Sequence, residues 1–382
     1  MIPGSEERMN RIYFKGLNGI RAMAAFIVIT FHIDQFLRLF GLKSFGYHNT
    51  GMAGFGVTLF FVLSGYLITY LLLTEKKKYE KVDLLKFYKR RILRIWPIYY
   101  LAVGFVILLI LFKFLIVPEK HLGLNLFFYI FLLSNVAYSG ILPITPLWSI
   151  GVEEQFYLFW PLLLNRAGNV FRALLGIIVI YLAIKIGFRI FENGPIYSVI
   201  YLTSFDCMAI GGIMANYVFR KHSILKLFYT PLLQVIAWSF LAVSIFYKPV
   251  HFSSLFDPEL HAVVYAIIIV NVSTNSRSLL NLENKLLNFL GRISYGLYVY
   301  HMLIIWLLSR FLKPYIPAIP GRWLPYITVY GLVYAITIFV AYLSYHYFES
   351  YFLKLKTRFA KIHSTNEARP DLPDLKEPIL IQ

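Results

Sequence analysis

Residues 17–40 read LNGIRAMAAFIVITFHIDQFLRLF, and this stretch decides how the rest of the chain is read. It is long enough to cross the ~30 Å hydrocarbon core of a bilayer as a helix, which takes about 20 mostly apolar residues. It is too long for the roughly 7–15-residue apolar core of a signal peptide, and no A-x-A-like cleavage site follows it. A polar, basic lead at 1–16, with Arg8, Arg11 and Lys15, precedes it directly. The expectation is an uncleaved first span with its N-terminus in the cytoplasm.

Working outward, ten further apolar segments lie near 51–73, 95–117, 122–137, 147–164, 170–190, 196–219, 226–247, 261–274, 289–312 and 323–352. They do not alternate in polarity as the strands of a membrane barrel do, so they are read as helices. Composition agrees. Of 382 residues, 59% are hydrophobic and 15% are Asp, Glu, Lys or Arg, where a soluble domain carries about 25% charge. Disordered, collagen-like, coiled-coil and disulfide-scaffold classes are excluded. The 37 Lys and Arg against 19 Asp and Glu leave a net +18. In a soluble protein that surplus suggests nucleic acid, whereas in a membrane protein it reflects basic residues retained in cytoplasmic loops. One cysteine, Cys207, permits no internal disulfide.

Loop charge tests the count. The stretch 75–94 carries Lys76, Lys77, Lys78, Lys81, Lys86, Lys89, Arg90, Arg91 and Arg94 and is assigned to the cytoplasm. So are Arg166 with Arg172, Arg220 with Lys221 and Lys226, and the tail residues Lys354, Lys356, Arg358 and Lys361. These assignments need ten crossings, so one segment does not cross fully, and the short 122–137 stretch is the candidate for a re-entrant or interfacial piece. The fold expected is all-α, a polytopic membrane helix bundle of about ten transmembrane helices with both termini cytoplasmic. A cytoplasmic lead (1–16), a membrane domain (17–352) and a tail (353–382) that is basic and then disordered make up the chain.

Ionisable groups at membrane depth mark candidate functional sites. Arg21 and His32 are eleven residues apart. At 100° per residue that is about 20° past three turns and a rise of ~16 Å, so they share one helix face. Two readings stand: a snorkelling arginine with a satisfied core histidine, or two members of one site. In PLWSIGVEEQFYLFWP (146–161), Glu153 and Glu154 sit ~9–11 Å below the outer end of their helix, close to the depth of His32. They point about 100° apart, so one can orient a histidine while the other bonds a helix end or a tyrosine such as Tyr157. A histidine–carboxylate pair suits general-base chemistry. Asp206 and His301 fall near mid-span in their own segments and complete a possible polar cavity. Arg91 and Arg94, three apart, make a two-point phosphate clamp or ordinary basic flanks. Gly51, Gly54, Gly56 and Gly65 fit close helix packing. No metal-ligand spacing is present.

Five stretches carry a resemblance. They are Leu17–His32 with its Arg-x10-His, FFVLSGYLIT (60–69), RRILRIWPIYY (90–100), the Trp-Ser-x-x-x-Glu-Glu-Gln-Phe-Tyr run of 148–157, and ISYGLYVYH (293–301). In this order, over about residues 12–355, the chain resembles the membrane-bound acyltransferase family 3, the group that includes bacterial O-antigen O-acetyltransferases. Two departures stand out: Asn18 replaces the family's usual Asp, and Ser350–Tyr351 follows Glu349 where a Glu-x-Pro ending is common. Larger members append an extracytoplasmic esterase-like domain, which is not expected within these residues.

The resemblance implies an O-acyltransferase of the bacterial cytoplasmic membrane. Acyl-CoA, typically acetyl-CoA, is the co-substrate, a hydroxyl of a glycan or lipid-linked sugar is the acceptor, and membrane lipids surround the domain. No bound cofactor, metal or nucleic acid is implied. Joined to this expectation, the residue reading puts His32, Glu153 and Glu154 in catalysis, His32 as base or acyl carrier. Arg21, Arg91 and Arg94 are placed at the acyl-CoA phosphates, with Tyr157, Asp206 and His301 supporting the cavity. The competing class is a proton-coupled transporter, which mid-membrane His, Glu and Asp would serve equally.

Overall fold

The stretch at 17–40 is helix α1 (Leu17–Phe36), continued by a 3-10 turn to Phe40. The turn closes at Gly41, whose φ of 78° a side chain would resist. The structure is a computed structural model that describes residues 11–46, 52–118, 120–137, 140–188, 195–247, 250, 252–253, 255–359 and 362–364. Most of the 1–16 lead, Gly51 and the tail from 365 onward, expected to be disordered, lie outside the described residues.

The helices that follow are α2 (Met52–Tyr79), α3 (Leu84–Leu111), α4 (Leu122–Ile130), α5 (Trp148–Arg166), α6 (Val170–Phe188), α7 (Pro195–Thr203) and α8 (Phe205–Arg220). After the one-turn α9 (Leu225–Phe228) come α10 (Pro231–Phe246), α11 (Asp257–Thr274), α12 (Lys285–Arg292), α13 (Ser294–Leu312), α14 (Leu324–Leu343) and α15 (Ser350–Thr357). The last two are joined through a π-helical stretch, Ser344–Glu349.

Among the described residues, seven helical stretches are long and apolar enough to cross a membrane. The helices α5, α10 and α11 bring the long helices to about ten. The chain is a helical, multi-pass membrane bundle. The 122–137 segment forms only the nine-residue α4, too short to cross at 1.5 Å per residue. Large apolar side chains such as Val179, Ile180, Leu232 and Val235 stay exposed on the bundle's outside, which suits surrounding lipid.

Two boundaries differ from the sequence reading for physical reasons. The third span was expected at 95–117, but α3 begins at Leu84. Asp83 caps it by accepting from the Lys86 N–H at 3.1 Å, and the Lys, Arg and Leu that follow are good helix formers. Arg90, Arg91 and Arg94 are therefore inside a helix, not in a loop before one. The segment 196–219 is broken at Ser204, whose φ of 37° separates α7 from α8, so Asp206 sits in the first turn of α8.

Close helix packing brackets the site. A Cβ on Gly65 of α2 would lie 1.9 Å from the Met208 carbonyl oxygen of α8, and one on Gly211 would lie 2.1 Å from Val62 O. A Cβ on Gly56 would lie 2.6 Å from a Val28 methyl and 2.9 Å from Ala24 O of α1. Gly54, by contrast, has nothing within 4 Å. Gly65→Ala is expected to force α2 and α8 apart and lower the thermal midpoint in detergent by an overpacking cost of about 1–3 kcal/mol or more, while Gly54→Ala leaves it unchanged. Equal midpoints for the two variants would contradict this account.

At one end of the bundle Arg11–Ile12 pairs in parallel with His363–Ser364, so both described ends of the chain lie together. Lys76, in the last turn of α2, donates to the carbonyls of Leu164, Asn165 and Ala167 at 2.8–3.2 Å. It thereby satisfies the open carbonyls at the end of α5.

Candidate active site

The helices α1, α2, α3, α5 and α13 line a partly open cavity of about 890 Å³, its mouth included. Arg21 of α1 and Arg91 and Arg94 of α3 line it, with Glu153 and Tyr157 of α5 and Ser64 of α2. Its remaining wall is mostly apolar, from Phe60, Leu63, Leu67, Ile68, Leu71, Ile95 and Ile150. Three guanidiniums drawn from two helices therefore face one largely apolar chamber.

Each arginine is held. Arg21 donates to Asn18 Oδ1 at 3.2 Å, so the residue that replaces the usual Asp still accepts from it. The Asn18 amide donates at 3.4 Å to Asn288, whose own amide donates at 2.7 Å to the carboxylate of Glu283. Glu283 also accepts from the Gly16 N–H at 2.7 Å and from the Tyr13 hydroxyl. A relay of two amides thus links Arg21 to an acid. The Arg91 guanidinium lies over the rings of Tyr157 and Phe87 at 5.1 and 5.6 Å, close enough for cation–π attraction.

The adjacent glutamates face different partners. Glu153 accepts from Ser64 Oγ at 3.0 Å and from the Tyr157 hydroxyl at 3.1 Å and lines the cavity. Glu154 turns toward α3, accepts from Trp96 Nε1 at 3.0 Å, and does not line it. Neither has His32 among its hydrogen-bond partners.

The partner of His32 is His301 of α13. Its Nε2 lies 3.1 Å from His32 Nδ1, and its Nδ1 lies 2.6 Å from the carbonyl oxygen of Tyr298. A carbonyl only accepts, so His301 Nδ1 carries a proton. In the neutral pair His301 Nε2 is then the acceptor, His32 Nδ1 donates to it, and the lone pair of His32 is left on Nε2. His301 is fully buried and His32 half-buried. Neither lines the arginine cavity. Tyr298 lines the cavity, its ring centre lies 5.7 Å from that of His301, and it packs edge-on against Phe60 with ring centres 5.7 Å apart. It bonds Pro146 O at 2.8 Å and Ser149 Oγ at 2.6 Å.

Asp206 belongs elsewhere, which corrects its placement in the cavity. Its carboxylate takes the ammonium of Lys185 at 2.7 Å and the Cys207 N–H at 2.8 Å. Lys185 also reaches Glu259 at 2.7 Å, so the group is a buried ion triad joining α6, α8 and α11. Its position at the start of α8, set by the break at Ser204, carries Asp206 to this triad. The sequence reading does not include Lys185, although a lysine inside an apolar segment is a signal for it. Ser64, Ser149 and Tyr298 also went unmarked, though all three lie within quoted stretches. Among the described residues no group of three His, Cys, Asp or Glu could hold a metal ion.

Comparison with known proteins adds relatives of named activity. The O-acetyltransferase OatA of Staphylococcus aureus is 28% identical over 366 residues, covering 88% of this chain and 57% of that protein. The peptidoglycan O-acetyltransferase OatA of Listeria monocytogenes is 35% identical over 167 residues, covering 40% of this chain and 24% of that protein. The chain thus spans little more than half the length of the Staphylococcus protein. No solved structure matches. A family model described as an acyltransferase domain matches residues 14–346, nearly all of the helical bundle and every residue of the cavity and the histidine pair, and the chain belongs to that acyltransferase family.

Proposed function

We propose that the bundle moves an acyl group, acetyl by preference, from acyl-CoA to a hydroxyl of a glycan of the peptidoglycan type. The observation that carries this reading is a half-buried histidine, its Nδ1 3.1 Å from His301 Nε2, near a cavity lined by three arginines. The arginine end is assigned to the cytoplasmic side of the bacterial cytoplasmic membrane, because Lys76, Lys77, Lys78, Lys86, Lys89 and Arg90 gather in the same stretch as Arg91 and Arg94. Arg21, Arg91 and Arg94 bind the CoA phosphates, for which planar, multiply donating guanidiniums are suited. The apolar chamber takes the thin pantetheine arm and brings the thioester toward the histidines.

The acceptor hydroxyl approaches His32 from the opposite side. As its proton passes to His32 Nε2, its oxygen attacks the thioester carbonyl. The C–S bond then breaks, and the CoA thiolate recovers the proton from the imidazolium. His301 holds His32 in the productive tautomer, the part the sequence reading gave to a glutamate. Glu153 instead braces Ser64 and Tyr157, and through the Tyr157 ring it supports Arg91. Membership of an acyltransferase family favours transfer over a proton-coupled carrier.

Purified protein supplied with acetyl-CoA is expected to release CoA faster when glycan acceptor is added, and the absence of any such dependence would contradict the reading. Arg91→Ala is expected to raise the apparent KM for acetyl-CoA about 10–100-fold, as for the loss of a charge-assisted hydrogen bond, with little change in kcat. An unchanged KM would make Arg91 a topological flank only.

A further inference from the structure

Tyr298 borders both the arginine cavity and the histidine pair, and it is tethered. Tyr298 contributes to both compartments. It is one of the residues lining the cavity, while its backbone carbonyl accepts from His301 Nδ1 and its ring lies 5.7 Å from the His301 ring. The hydroxyl donates to Pro146 O and accepts from Ser149 Oγ, so two bonds, one to the first turn of α5 and one to the residues just before it, hold the ring in place. Phe60 of α2 supports it from the side. A thioester in the arginine cavity therefore meets Tyr298 before it meets His32.

We propose that Tyr298, latched by Ser149 and Pro146, is the partition between donor cavity and histidine base, and that it decides whether the acyl group goes to the acceptor or to water. The inference rests on the acyl-transfer reading. With the latch closed, the thioester is kept from a water molecule activated by His32. When the ring swings aside, the acyl carbon reaches His32 together with the acceptor. If water attacks instead, its oxygen joins the acyl carbon, the C–S bond breaks, His32 relays the proton to the CoA thiolate, and the products are free CoA and a carboxylic acid.

Tyr298→Phe keeps the ring and removes both latch bonds; Ser149→Ala removes one of them. Both variants are expected to release CoA from acetyl-CoA without acceptor about tenfold faster than the unaltered protein, and to transfer fewer acetyl groups per CoA released. A merely structural tyrosine would lower both rates together and leave that ratio unchanged, which would overturn the proposal.

A second measurement does not depend on the chemistry. In a Cys207→Ala background, a cysteine placed by Leu67→Cys in the cavity wall is probed with a charged, membrane-impermeant thiol reagent added on the His32 side. Labelling is expected to rise at least severalfold when Tyr298→Ala is added, and unchanged labelling would overturn the partition. Raised labelling in a protein that shows no acceptor-dependent CoA release would leave the partition standing and remove the acyl-transfer reading.

Discussion

His32→Ala is expected to reduce acyl transfer by about 10²–10⁴-fold, the usual contribution of a positioned general base, with folded protein recovered in normal yield. The Tyr298 carbonyl can only accept, so the proton of His301 stays on Nδ1 and His301 Nε2 accepts from His32. The lone pair of His32 is thereby placed on Nε2, on a ring that is half-buried and so still approachable. Removing the ring leaves one acceptor, His301 Nε2, without its donor, at a cost of about 1–3 kcal/mol. His301→Ala removes no group that meets the substrate. It is expected to lower kcat less, and to displace the pH profile of kcat because the tautomer of His32 is no longer set. Full activity in His32→Ala, measured as labelled acetyl transferred to acceptor, would exclude His32 both as base and as acyl carrier.

The second large effect concerns stability. Lys185 is fully buried and lies 2.7 Å from both Asp206 and Glu259, and its ammonium also lies 5.2 and 5.8 Å from the ring centres of Tyr181 and Tyr201. Lys185→Met leaves two carboxylates buried together without their cation. Breaking a buried ionic group in this way costs about 3–5 kcal/mol, so a large fall in the thermal midpoint of the detergent-solubilised protein is expected. Neutralising the acids as well, with Asp206→Asn and Glu259→Gln, is expected to recover most of it, because an uncharged buried cluster carries little of the desolvation penalty. The triad lies outside the arginine cavity, so the rate per folded molecule should hardly change. A midpoint unaffected by Lys185→Met would show that the triad does not hold α6, α8 and α11 together.

Local pattern made part of this architecture legible. The apolar run at 17–40 is a helix because its composition and length suit one, and the eleven-residue spacing puts Arg21 and His32 on one face. The 100° between neighbouring helical residues anticipated that Glu153 and Glu154 would take different partners, a tyrosine and serine for one and Trp96 for the other. The short 122–137 run was legible as a piece that does not cross.

Illegible were contacts that depend on how distant helices pack. His32 and His301 are 269 residues apart, and nothing along the chain says that α13 lies against α1 with its histidine at that height. The same limit applied to Asp206. Its residue type was conspicuous, but the break at Ser204 and the facing Lys185 determine what it does. The start of α3 was missed because hydropathy follows the bilayer, whereas the helix follows its cap at Asp83 and runs on beyond the apolar stretch.

The most direct test of the central claim places donor and acceptor on opposite sides of one membrane. Purified protein is sealed into liposomes holding acetyl-CoA labelled in its acetyl group, and peptidoglycan glycan fragments are supplied outside. The account predicts labelled ester on the external glycan, one CoA freed inside per acetyl transferred, and neither with His32→Ala. Label that stays with CoA in the presence of the unaltered protein, or glycan labelled equally by His32→Ala, would contradict it.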